Sequence, residues 1–153
     1  MYFWKIDALK NDIKDKKMND EEIFPYIILS VAFYTFLTEI MAYLPYEDSE
    51  VNTYTYVLSI MAIIIQIFGT IYVYKKNGAK DGNNFLTKYF LIGFVVSIRF
   101  IVYFIPLMIA LIIYWEFNFS EQELLPTTLF EVVLMSAWYL LLFFNIGKHI
   151  EDV

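Results

Sequence analysis

The stretch YFLIGFVVSIRFIVYFIPLMIALIIYW, residues 89–115, decides the fold class of this chain. It holds a single charged side chain, that of Arg99, within 27 residues. A helix needs about 20 apolar residues to cross about 30 Å of hydrocarbon, so this run is longer than one crossing requires. Pro106 lies inside it, and we expect the helix to tilt, to bend at the proline or to extend beyond the lipid.

Three more apolar runs accompany this one, and together they predict an all-α polytopic membrane protein built as a four-helix transmembrane bundle. The hydrophobic share of 59% leaves too little polar surface for a soluble domain of 153 residues. We expect Gly147 to cap the last helix at its C-terminus. The predicted parts are an N-terminal segment (1–22), a transmembrane domain (23–147) with spans at about 24–44, 54–74, 89–115 and 124–146, and a tail (148–153).

The lysines predict the orientation of these spans. They occur before the first span, between the second and third, and after the fourth, whereas the other two connections carry acids and no Lys or Arg. Because basic residues favour the cytoplasmic side, both termini are expected in the cytoplasm and the protein in the cytoplasmic (inner) membrane. The lysines are Lys5, Lys10, Lys14, Lys16, Lys17, Lys75, Lys76, Lys80, Lys88 and Lys148.

Apolar residues recur at helical spacing in the N-terminal segment. Tyr2, Ile6, Leu9 and Ile13 would share one face of a short helix, while charged residues occupy the rest. This pattern is typical of an amphipathic helix lying on the cytoplasmic surface of the membrane. A solvated tail is the alternative, since the balanced charge of the segment gives little attraction to anionic lipid.

Arg99 is the basic residue that the bilayer tolerates least. It lies eleven residues after Lys88, which places it about 16 Å deep at 1.5 Å per residue, close to the midplane. A central arginine costs at least roughly 2.5–3.5 kcal/mol unless a partner or water solvates it. Glu39 and Glu131 are the candidate partners, and Glu39 is favoured because helical side chains lean toward the N-terminus of their helix.

Further polar residues of the spans complete a predicted intramembrane cluster. It could line an aqueous path or a ligand site, it could be a structural ion pair, or Arg99 could await an acid of another subunit. The cluster consists of Arg99, Glu39, Glu131, Gln66, Tyr103 and Asn145.

Two functions fit these features. The first is a homo-oligomer whose polar cluster conducts ions or small solutes, since one set of four spans has little interior of its own. The second is a non-conducting accessory, immunity, defence or signalling subunit that binds another membrane protein. The net charge of −6 argues against nucleic-acid binding, and the lipid bilayer is the expected environment.

The residues of known catalytic and metal sites are missing from the pattern. The chain has no cysteine and a single histidine, His149, which we expect to be interfacial or solvated. A zinc site would need more nitrogen or sulfur ligands, and no nucleophile–base spacing is present. We therefore expect no catalytic residues, no metal and no cofactor.

Overall fold

The computed structural model describes residues 2–15, 18–43, 52–118 and 127–153, apart from the side chains of residues 34, 37–43, 111 and 114–118. The described chain is helical, which confirms the all-α class. Its elements are α1 (Ile6–Lys14), α2 (Asp20–Tyr43), α3 (Thr53–Lys76), a 3₁₀ turn (Ala79–Asp81), α4 (Phe85–Asn118) and α5 (Leu129–Glu151).

Three of these helices are long and apolar enough to cross a membrane. They are α3, the part of α4 from Phe85 to Ala110, and α5, with mean hydropathies of 2.1, 2.3 and 1.9. No more than about a fifth of each apolar window is covered by protein, since the buried shares are 17%, 22% and 17%. Helices that are apolar on their outer faces belong in lipid, so the structure supports a membrane protein.

Helix α4 is continuous through Pro106 over its 34 residues. At 1.5 Å per residue it is about 51 Å long, well beyond the roughly 30 Å of a hydrocarbon core. Of the outcomes expected from its sequence, tilt and extension past the lipid both stay predictions.

The helices pack in the order α2, α4, α5, α3. The contact between α3 and α5 is the most extensive, and among the described residues no comparable contact joins α2 to α3. Two glycines bring α3 and α5 close. A Cβ atom on Gly69 would lie 2.4 Å from the ring of Phe143, and one on Gly147 would lie 2.5 Å from that of Tyr72.

The expected cap at Gly147 is therefore wrong. Helix α5 continues to Glu151, and Gly147 is a buried packing position inside it. The missing side chain leaves room for an aromatic ring of the neighbouring helix, and the sequence alone cannot distinguish that use of glycine from a helix end.

The segments that carry lysine meet at one end of the molecule, which we call the lysine end. Lys10 of α1 pairs with Asp152 at 3.0 Å, and Lys76 of α3 pairs with Glu151 at 2.7 Å. At the opposite end, Asn52 Nδ2 donates a hydrogen bond of 2.7 Å to the carbonyl oxygen of Thr127. The two termini of the described chain thus share one end of the helix row.

Helix α1 lies against protein. Ile6 and Leu9 are 2% and 0% exposed, and they join the same apolar core as Leu91 and Val95 of α4. The expected helix is present, and its apolar face packs against protein. Its position at the membrane surface stays a prediction. The N-terminal half of α4 offers an apolar surface that α1 covers, so the helical spacing marks a protein contact.

Candidate functional site

Arg99 meets the N-terminal segment. Its Nη2 donates a hydrogen bond to the carbonyl oxygen of Trp4, although 95 residues separate the two. The guanidinium carbon also lies 5.4 Å from the centroid of the Trp4 ring, within the range of a cation–π interaction. Its Nε is buried and has no hydrogen-bond partner among the described residues. Trp4 thus provides a carbonyl dipole and an aromatic face, but no compensating charge.

Aromatic side chains surround this contact and remain accessible. The rings of Trp4 and Tyr103 lie 6.2 Å apart in an edge-to-face arrangement, and Trp4 and Tyr103 are 48% and 57% exposed. Phe3 is also exposed, and its ring lies 6.2 Å from that of Phe94. We call the group formed by Arg99, Trp4, Tyr103 and Phe3 the Arg99 surface.

The expected pair between Arg99 and Glu39 stays a prediction. Glu39 belongs to α2, but its side chain lies outside the described residues. No ion pair joins Arg99 to a carboxylate within the part of the chain that the structure describes. The charge of Arg99 is consequently met there by Trp4 alone.

Glu131 has a local role at the start of α5. The amide of Glu131 donates to the Thr128 hydroxyl at 3.3 Å, while the Thr128 amide donates to the Glu131 carboxylate at 3.1 Å. This reciprocal pair is a capping box, which satisfies two amides that a helix N-terminus leaves free. Glu131 therefore lies in the first turn of α5.

The two amide side chains of the predicted cluster lie elsewhere again. Gln66 is exposed on α3, at a small groove beside Tyr139 of α5. Asn145 donates a hydrogen bond of 2.9 Å to the carbonyl oxygen of Leu141 within its own helix. Of the described members of the predicted cluster, the structure brings Arg99 and Tyr103 together, both against Trp4.

Trp4 was not expected at this site, and the segment that carries it is anchored by polar contacts. The backbone amide of Tyr2 donates to the Tyr26 hydroxyl, and the Tyr2 hydroxyl donates to Asp12 at 2.5 Å. The hydrogen bond to Asp12 raises the pKa of Tyr2 above its usual value. The helical spacing of apolar residues near Trp4 was the available signal, but it does not reveal which surface covers them.

A lysine–carboxylate pair fastens the same segment to the C-terminal tail. The hydrogen bond from Lys10 lowers the pKa of Asp152. Burial alone would lower the pKa of Lys10, but its hydrogen bonds with Asp152 and Asp7 outweigh that effect, and the pKa is raised. His149, expected to be interfacial or solvated, is half-buried, with an Nδ1 atom that has no partner among the described residues.

No group of three or more His, Cys, Asp or Glu side chains within the described ranges could hold a metal ion. No protein-family model, curated protein or solved structure matches this chain.

Proposed function

We propose that this chain is a four-span, non-enzymatic protein of the cytoplasmic (inner) membrane that binds another membrane protein through the Arg99 surface. The observation that carries the proposal is the state of Arg99. Its guanidinium is held by a neutral carbonyl and an aromatic ring within an exposed aromatic patch, and no described carboxylate neutralises it.

The ends of the helices support four spans with both termini in the cytoplasm. Helix α2 starts at the lysine end, because Tyr26 near its start contacts Tyr2 and Phe94. Helix α3 starts at the opposite end, where Asn52 contacts Thr127. These two positions support a crossing between Tyr26 and Asn52. The positive-inside rule assigns the lysine end to the cytoplasm.

The composition of the Arg99 surface supports recognition. Trp, Tyr and Arg are the residues most enriched among the strongest contributors to protein–protein binding. In a low-dielectric setting an incompletely compensated guanidinium favours an acceptor of opposite charge. The partner class that fits is a membrane helix with an Asp or Glu at the depth of Arg99 and an aromatic or apolar face around it.

Conduction by a homo-oligomer is the competing proposal, and the geometry favours it less. A shared path needs the polar residues of several spans to line one surface. Three polar residues of the predicted cluster are instead dispersed. Gln66 lines a lateral groove, Asn145 bonds to the backbone of its own helix, and Glu131 caps a helix.

A site-specific photo-crosslinker separates the two proposals. Placed at Tyr103 in cells, it should capture a membrane protein other than this chain, and Arg99→Leu should abolish that product while Arg99→Lys retains part of it. The same crosslinker at Ile63, an equally exposed apolar position on α3, is the matched control.

Liposome conductance completes the test. The proposal requires that purified protein in liposomes pass no ions above an empty-liposome background. Crosslinks from Tyr103 to a second copy of this chain, together with a conductance that Arg99→Leu alters, would refute it in favour of the homo-oligomeric conductor.

A further inference from the structure

An apolar groove of about 670 Å³ runs along the contact between α3 and α5. Its walls include Ile64 and Phe68 on α3 and Leu141 and Phe144 on α5, all of them exposed. The close approach of the two helices at Gly69 lies along the same groove. The groove is open on the outer surface of the two helices, so in a bilayer it faces lipid.

The wall of the groove that α3 provides is about as long as one leaflet is thick. On α3 its lining extends from Met61 to Tyr72. These eleven steps span about 16 Å at 1.5 Å per residue, or about half of a 30 Å hydrocarbon core. An acyl chain from the leaflet at the lysine end would therefore lie along the whole groove.

Helices α3 and α5 each carry a lysine just beyond the groove, on the side of the lysine end. Lys75 follows Tyr72 by three residues, and Lys148 follows Phe144 by four, so each lies one turn beyond the groove on the same helical face. Both lysines are exposed, and neither takes part in an ion pair among the described residues. Their neighbour Lys76, by contrast, is paired with Glu151.

We infer that this groove binds one anionic phospholipid of the cytoplasmic leaflet. One acyl chain lies between α3 and α5, and the ammonium groups of Lys75 and Lys148 donate hydrogen bonds to the headgroup phosphate. The apolar walls alone would accept any phospholipid, whereas two cations at the headgroup level select a net negative one. The inference rests on the proposed membrane orientation, which makes the lysine end cytoplasmic. The site shares no residue with the Arg99 surface, so a failed lipid test leaves the proposed partner binding untouched.

The test is lipid retention by the full chain, measured by native mass spectrometry. Phosphatidylglycerol and phosphatidylcholine with identical acyl chains are offered in equal amounts. The unmodified protein should retain phosphatidylglycerol preferentially. The double variant Lys75→Gln, Lys148→Gln should bind it about 30-fold more weakly, since each basic residue near a membrane surface contributes about a fivefold factor.

Two further variants give the proposal its controls. Lys5→Gln combined with Lys80→Gln removes the same charge from exposed positions away from the groove, and should leave the preference unchanged. Leu141→Trp fills the groove from its lipid-facing side, and should lower the retention of both lipids. Equal retention of the two lipids by the unmodified protein, or equal behaviour of the two double-lysine variants, would overturn the proposal.

Discussion

Replacing Leu9 with alanine should release the N-terminal helix from the protein. Leu9 is 0% exposed and joins the apolar core. The lost carbons are worth about 2.4 kcal/mol at about 0.8 kcal/mol per methylene. The remaining cavity raises the cost to about 3 kcal/mol, at the lower end of measured Leu→Ala changes. Since each 1.4 kcal/mol is a factor of ten, the docked population of α1 should fall roughly 100-fold relative to the undocked one.

Hydrogen–deuterium exchange of the amides in Ile6–Lys14 measures this directly, because the exchange rate of a segment reports its local opening. The amides of α1 should exchange up to about 100-fold faster in Leu9→Ala, while those of α3 and α5 keep their rates. Asn11→Ala is the matched control, since Asn11 is exposed on the same helix.

The result that refutes this reasoning is equal exchange of α1 in the two variants. Exchange that depends on the lipid composition and responds equally to both substitutions would place α1 on the membrane surface, as the sequence pattern alone suggested. Release of α1 should also remove Trp4 from Arg99, so crosslinking through the Arg99 surface should change in Leu9→Ala.

Three more outcomes follow from the structure. Gly69→Ala should cost about 1–3 kcal/mol through overpacking against α5, whereas Gly93→Ala, which meets nothing within 4 Å, should be neutral or stabilising when both are compared by thermal unfolding. The pKa of Asp152 is depressed from 3.8, so its contribution to the docking of α1 is present above that value and lost as the pH falls through its folded pKa. The pKa of Lys10 is raised from 10.5, so its contribution to the docking of α1 is present below that value and lost as the pH rises through its folded pKa. The variant Lys10→Met should remove both the acid and the alkaline pH dependence of the exchange of α1. Thr128→Ala should destabilise the first turn of α5 by about 1 kcal/mol, visible as faster exchange of the amides in that turn. An unchanged exchange rate would contradict a stabilising role of the capping box.

The Arg99 surface illustrates how far the sequence reaches toward a site. An arginine deep in an apolar run is visible in the sequence, and so is the need for a partner, because both follow from the cost of burying charge. The identity of the described partner is not visible. Trp4 lies 95 residues away in a segment whose charge and apolar spacing fit a membrane surface equally well.

Glu131 and Gly147 show the same limit at smaller scale. The depth of Glu131 in the apolar run indicated a buried charge, but a threonine three residues earlier engages it as a helix cap. Gly147 fits a helix end by its position, but the ring of Tyr72 uses the space it leaves inside α5. Each residue type permits two structural roles. For Gly147 a neighbouring side chain decided between them, and for Glu131 a local hydrogen bond did.

The amino-acid sequence by itself determined that this is a helical protein with spans suited to a membrane. Hydrophobicity summed along a run and the placement of lysines are local properties, and they act before any helix meets another. Only the tertiary structure decided that α1 is covered by α4, that Arg99 meets Trp4, and that α3 and α5 form a groove. Those contacts depend on which helices become neighbours, and similarly apolar helix surfaces leave that choice to close packing between particular side chains.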